Sequence, residues 1–180
     1  GYPANMKLIN QIARQYKLYV IEDAAEAHGA KLFGKKVGGL GHLGVFSFYG
    51  NKIITTGEGG MITTNDVGLS ERIKFLRDHA MSKSKKYWHS EIGYNYRLTN
   101  IQAALGLAQL ERINKLLSKR VSIYKRYYKN LSKINEFQLN RTNSSVEVSF
   151  WLISLEIKDY NENKRNELIK KLRKHNIDTR

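Results

Sequence analysis

The sequence predicts an α/β domain built on a parallel sheet, and three observations carry that prediction. An apolar segment of helical period is followed at once by a short β-branched and aromatic run that ends in acidic residues. A second short apolar run, Val45 to Tyr49, leads into a glycine-rich loop. Both runs gather polar residues at their C-terminal ends, which is where open parallel sheets place ligands.

In chain order, the first helix carries Met6, Ile9, Ile12, Ala13 and Tyr16 on one face. Tyr19-Val20-Ile21 reads as a buried strand running into Glu22-Asp23, followed by the small, turn-prone stretch Ala24 to Gly29. Residues 45–49 form the second strand and residues 61–64 the third, with the glycine-rich loop between them. Residues 67–80 read as a helix with Leu69, Ile73 and Leu76 inward. A basic, aromatic loop then ends in Tyr87-Trp88-His89, ahead of the compact segment Gly93-Tyr94-Asn95-Tyr96-Arg97. Thr99-Asn100-Ile101-Gln102 has the form of a capping box, in which the Thr and Gln side chains satisfy the first free amides of a helix. It opens the longest periodic segment, with apolar positions from Ile101 to Leu131 returning to one side. A continuous helix of about 30 residues is predicted there, long enough to connect two lobes. Residues 140–145 read as a loop, 150–157 as an alternating strand and 164–175 as an amphipathic helix. The domain boundaries expected are 1–110 for the first domain, 111–135 for the connecting helix and 136–180 for the start of a second domain. The chain opens on Gly rather than Met and stops soon after that last helix, so it is expected to be cut from something longer.

Composition narrows the chemistry. With 180 residues, 41% of them hydrophobic, the chain can bury a core. It has no cysteine, which excludes a disulfide scaffold, a zinc finger, an iron–sulfur site and a cysteine nucleophile. His, Asp, Glu and Lys are left to carry any reaction, and no metal is expected. No stretch reaches the roughly 18 apolar residues of a membrane span, so a soluble, cytoplasmic protein with no membrane partner is the expectation. The formal net charge is +15, spread as +6 over residues 1–110 and +9 over 111–180. Charge spread in this way, without a nucleic-acid-binding motif, reads as a solvated basic surface, and no nucleic-acid partner is expected.

The candidates for chemistry are Asp23, Glu26 and His28 after the first strand and Lys52 in the loop after the second. Taken singly, a lysine is usually a solvated surface cation and an aspartate at a strand end a turn former. The setting of Lys52 is less ordinary, between a strand of Phe46, Ser47, Phe48 and Tyr49 and the apolar pair Ile53-Ile54. A lysine held against apolar walls loses hydration, which favours the neutral, nucleophilic amine. A buried Asp23 would suit the positive pole of a heteroaromatic cofactor. The rival reading is a non-catalytic basic binding module, which has no reason to set Lys52 and Asp23 at adjacent strand ends.

At these residues the chain resembles a known family. Val20-Ile21-Glu22-Asp23-Ala24-Ala25-Glu26-Ala27-His28-Gly29-Ala30, Phe46-Ser47-Phe48 with Asn51-Lys52, Thr56-Gly57-Glu58-Gly59-Gly60-Met61, Gly93-Tyr94-Asn95-Tyr96-Arg97, Gln102-Ala103-Ala104 and Gln109-Leu110 are similar to the DegT/DnrJ/StrS sugar aminotransferases. The resemblance implies part of a fold type I, aspartate-aminotransferase-like enzyme: a portion of its large mixed-sheet domain and the start of its small α+β domain. It implies pyridoxal 5'-phosphate as cofactor and a nucleotide-linked 4-keto-6-deoxy sugar as amino acceptor. Glutamate is the implied donor, in the making of surface polysaccharide or lipopolysaccharide sugars. Lys52 matches the lysine that holds the cofactor covalently and shuttles the proton. Asp23 matches the carboxylate that pairs with the pyridine nitrogen, and Ser47 a phosphate-binding hydroxyl. Glu26 stands where the family usually has Gln near the phenolic oxygen; a carboxylate accepts hydrogen bonds there rather than donating them unless it is protonated. Asn95 matches an amide that reaches the phosphate in the neighbouring subunit, which implies a homodimer with shared active sites. A sugar dehydratase of the same fold carries His where Lys52 stands, and Lys52 argues against it. The family's N-terminal portion and the end of its small domain have no counterpart, so these 180 residues are expected to be inactive by themselves.

Overall fold

The computed structural model describes residues 1–159 and 161–180. Its first unit comprises Gly1–Ile123 together with Thr142–Leu152. Helix α1 (Met6–Gln15) starts at Asn5, whose side chain accepts from the Leu8 amide at 3.2 Å. Met6 and Ala13 pack with Val20 and Leu32 in one buried cluster. The rest of the predicted face is not covered: Ile9, Ile12 and Tyr16 are exposed.

Strand β1 (Ile21–Asp23) lies two residues later than the run of apolar side chains suggested, because the ladder takes in the acidic pair. It pairs in parallel with β4 (Leu43–Ser47), with Asp23 opposite Val45. Strand β5 (Gly60–Thr63) then pairs antiparallel with β4, so the sheet β1-β4-β5 is mixed. Gly44, in the central strand, sits against the Gly38 backbone so closely that an added Cβ would lie 2.2 Å from the Gly38 carbonyl oxygen. That approach requires glycine. Buried Glu22 accepts from the Leu40 amide at 3.0 Å and fixes the same loop to β1. A second small cluster of Ala24, Ala27, Ala30 and Val37 fills the space beneath the turn after β1.

Short strands β2 (Lys31–Leu32) and β3 (Lys35–Lys36) form a hairpin, and β2 also pairs with β7 (Val146–Glu147). This pairing returns residues 142–152 to the first unit, whereas the boundary read at residue 136 assigned them to the second domain. Main-chain hydrogen bonding between distant segments overrides sequence order there.

Helix α2 (Val67–Arg77) is capped by Asp66, and Leu69, Ile73 and Leu76 are half-buried. The capping box forms as predicted, with Thr99 accepting from the Gln102 amide and Gln102 accepting from the Thr99 amide. The long helix, however, is two: α3 (Asn100–Leu110) and α4 (Ile113–Leu131). At the break the Arg112 amide bonds to Gln109, three residues back, tightening the turn. Apolar spacing continues across it, so periodicity does not register the interruption.

The second unit comprises Tyr124–Arg141 and Ile153–Arg180, and the division falls inside α4. Within it, β6 (Phe137–Leu139) pairs antiparallel with β8 (Leu155–Ile157), and α5 (Glu162–Lys174) is capped by Asn161. The predicted strand at 150–157 is therefore reduced to its last three residues. Phe150 has φ +48°, a left-handed conformation that does not continue a strand. No helix among the described residues is long and apolar enough to cross a membrane.

Candidate active site

The parallel pair β1 and β4 sends Asp23 and Ser47 out at the same edge of the sheet, each as the last residue of its strand. Asp23 is exposed and not buried as expected; one carboxylate oxygen accepts from the Ala25 amide at 3.1 Å. The expectation fails because the strand alternates, putting Glu22 into the interior and Asp23 on the opposite face. The Ser47 hydroxyl accepts from the Tyr49 amide at 3.3 Å. Lys52 closes the turn that follows, its amide donating to the Tyr49 carbonyl at 3.0 Å.

The Lys52 side chain is only 10% exposed, yet its surroundings are not simply apolar. Its Nζ lies 3.2 Å from a carboxylate oxygen of Glu26 and 4.1 Å from the centre of the Trp151 ring. Glu26 is thus brought to Lys52 and accepts its proton in a hydrogen bond, the role open to an ionised carboxylate. Trp151 escaped the sequence reading. Its only signal was a place in an adjacent aromatic pair, Phe150-Trp151, a hundred residues away from the loop it meets.

His28 lies behind this group, 3% exposed, with its ring 5.4 Å from that of Phe46 and 6.0 Å from that of Phe48. Neither ring nitrogen has a hydrogen-bond partner among the described residues. Burial pushes its pKa below the ordinary histidine value. The Ser47 backbone lies near enough to oppose that shift without meeting hydrogen-bond geometry, and the Lys52 charge reinforces it.

The loop that carries Lys52 is held from α3. Gln109 brackets Thr55, accepting from its amide at 3.1 Å and donating to its carbonyl at 2.5 Å. Gln102 reaches the Glu58 carbonyl at 3.4 Å, and Gly106 lets the helix come within contact of Thr56. Gly59, at φ +131°, takes a conformation that a side chain would strain. The glycines and the two glutamines of the sequence motifs therefore share a purpose, which is to set this loop.

Asn95 is exposed and pairs as an isolated bridge with Asp78. The segment around it is zipped to the end of α2 by main-chain bonds from Tyr94 to Leu76 and from Tyr96 to Arg77. The rings of Tyr94 and Tyr96 stack at 5.1 Å, and Ile92 beside them is 84% exposed. A ring nitrogen of His89 contacts the His79 carbonyl at 2.7 Å.

Comparison with known proteins decides the kinship, for the profile of the DegT/DnrJ/EryC1/StrS aminotransferase family matches residues 1–180. The chain belongs to this family. Similar relatives include the GDP-perosamine synthases of Escherichia coli O157:H7, 42% identical over 96% of this chain and 47% of that protein, and of Caulobacter vibrioides, 44% identical over 100% and 49%. Among solved structures, Helicobacter pylori PseC, an aminotransferase involved in the biosynthesis of pseudoaminic acid, matches with a TM-score of 0.89. It is 30% identical over 96% of this chain and 47% of its own. The fold is accordingly that of a portion of a fold type I sugar aminotransferase. The chain spans about half the length of the curated relatives it matches.

Proposed function

We propose that the protein is a pyridoxal-phosphate-dependent aminotransferase that moves an amino group, from glutamate, to a nucleotide-linked 4-keto-6-deoxy sugar. The reading is perosamine-synthase-like and belongs to cytoplasmic synthesis of surface-polysaccharide sugars such as those of O-antigens. The observation that carries it is a nearly buried primary amine, Lys52, in the turn that follows one strand of a parallel pair whose other strand ends in Asp23.

This donor set fits the cofactor. Lys52 would supply an amine for its aldehyde carbon, Asp23 a carboxylate for its ring nitrogen and Ser47 a hydroxyl for its phosphate. When bound, pyridoxal phosphate supplies an electron-withdrawing ring that stabilises negative charge on the carbon losing a proton. Lys52 Nζ would hold the cofactor covalently and, once the amino donor displaces it, would take that proton and give it back as a free amine. The Asp23 carboxylate would favour a proton on the ring nitrogen, and its exposure leaves it accessible for that contact. Glu26 stays beside Lys52 and orients the amine. Asn95 faces outward and serves the phosphate in the second protomer of a homodimer.

The test uses full-length protein with added pyridoxal phosphate, glutamate and, in parallel, GDP-linked and UDP-linked 4-keto-6-deoxy sugars. Borohydride reduction followed by peptide mapping is expected to find the pyridoxyl mass on Lys52. Lys52→Ala and Lys52→Arg are each expected to lose more than about 10²-fold of transamination, since Ala removes the amine and a guanidinium stays protonated. Retention of more than about a tenth of wild-type activity in Lys52→Ala, far above that cost, would overturn the assignment.

A further inference from the structure

The geometry points to Trp151 as a positioning residue for Lys52, an inference that rests on reading Lys52 as the cofactor-bearing lysine. Two separate contacts support it. The face of the indole ring carries Nζ at 4.1 Å from its centre, and the indole N–H donates to the Asn51 carbonyl at 2.8 Å. One side chain thereby grips both the amine and the peptide group immediately before it.

The stretch leading to Trp151 is itself anchored. Ser149 and Phe150 are buried, and the Ser149 hydroxyl donates to the Glu26 carbonyl at 3.4 Å. The Trp151 carbonyl accepts from Arg120 at 3.3 Å. Ser149 and Trp151 thus touch the backbones of the two segments that meet at Lys52, those of Glu26 and Asn51. A cation lying on an aromatic face in a site of low exposure is attracted to the ring quadrupole, and its freedom falls with it. The four-carbon stem of lysine has many rotamers, so an amine already confined to one direction forms its bond to an aldehyde carbon, with loss of water, without first losing that freedom. Glu26 contributes to this orientation but confines the amine less, because its own side chain is half exposed.

The experiment compares wild-type full-length protein with Trp151→Phe, which keeps a ring face without the N–H, and Trp151→Leu, which keeps neither. Trp151→Met, nearer in volume, replaces the Leu variant should that fail to fold. In cofactor-free protein, acetylation of Lys52 by sulfo-N-hydroxysuccinimide acetate is followed by peptide mass mapping, with exposed Lys83 as internal reference. Loss of the ring is expected to speed Lys52 labelling about tenfold, the scale of a desolvated cation–π contact, and the Phe variant to restore most of the protection. Capture of pyridoxal phosphate, followed by absorbance, is expected to slow about tenfold in the Leu or Met variant and less in Phe. Labelling and capture rates within about twofold of wild type in a folded non-aromatic variant, well inside the effect expected of the contact, would overturn the proposal. So would a Phe variant that labels as fast as the non-aromatic one. Borohydride trapping of wild type separates the two readings: a pyridoxyl group on another lysine sinks Lys52 as anchor, while the labelling contrast at Lys52 judges Trp151 independently.

Discussion

At the scale of single residues, His28 shows how environment sets chemistry. A histidine against two phenylalanine rings, with no hydrogen-bond partner among the described residues, resists taking up a proton, and burial is the main cause of its lowered pKa. The unfolded chain takes up a proton at His28 once the pH falls below about 6.5, while the folded chain resists it. Between the two values the unfolded state binds more protons, so stability falls as the pH drops. The contribution is complete above the unfolded value and declines by at most about 1.4 kcal/mol per pH unit below it. The urea midpoint of the full-length protein is expected to drop between about pH 7 and about pH 5.5, and His28→Leu to flatten that decline. An unchanged acid-side slope in the variant would assign the titration to another group.

At the scale of elements, α3 works as a brace for the loop that bears Lys52. The two hydrogen bonds between Gln109 and Thr55 are together worth about 1–3 kcal/mol. Gln109→Ala is expected to cost that much in urea unfolding and to speed hydrogen exchange of the amides near Lys52 and Thr55. Thr99→Ala removes the cap at the other end of the same helix and is expected to cost about 1 kcal/mol, with little effect on exchange in the loop. Equal loop exchange in the two variants would mean that Gln109 stabilises the helix and does not brace the loop. The brace was half legible beforehand. Gln102 and Gln109 stand out as motif residues, but only the folded chain reveals which carbonyls and amides they hold.

At the scale of the whole molecule, the proposed homodimer has a surface to match. Ile92, Tyr94 and Tyr96 are exposed together beside Asn95, with the two tyrosine rings stacked on a segment pinned by main-chain bonds. A preordered aromatic patch loses little conformational entropy on association. Tyr94→Glu combined with Tyr96→Glu is expected to halve the mass of full-length protein in sizing experiments and to remove activity, with circular dichroism unchanged. Activity and size both equal to wild type would exclude this patch from the interface.

The amino-acid sequence by itself determined helices α1, α2 and α5, strands β4 and β5, the capping box and the family. All of these depend on local spacing or on short runs of residue types, which the chain expresses without reference to distant neighbours. Tertiary structure decided the rest. It returned residues 142–152 to the first unit through the pairing of β7 with β2, split the long helix while its apolar spacing ran on, and turned Asp23 outward by strand alternation. It also laid Trp151 on Lys52 and set Glu26 beside it. Those contacts join segments far apart in the chain, and their formation depends on which backbone groups remain unpaired after the local elements form. No pattern of neighbouring side chains encodes that, because the partner that satisfies a free carbonyl such as that of Asn51 lies a hundred residues further on.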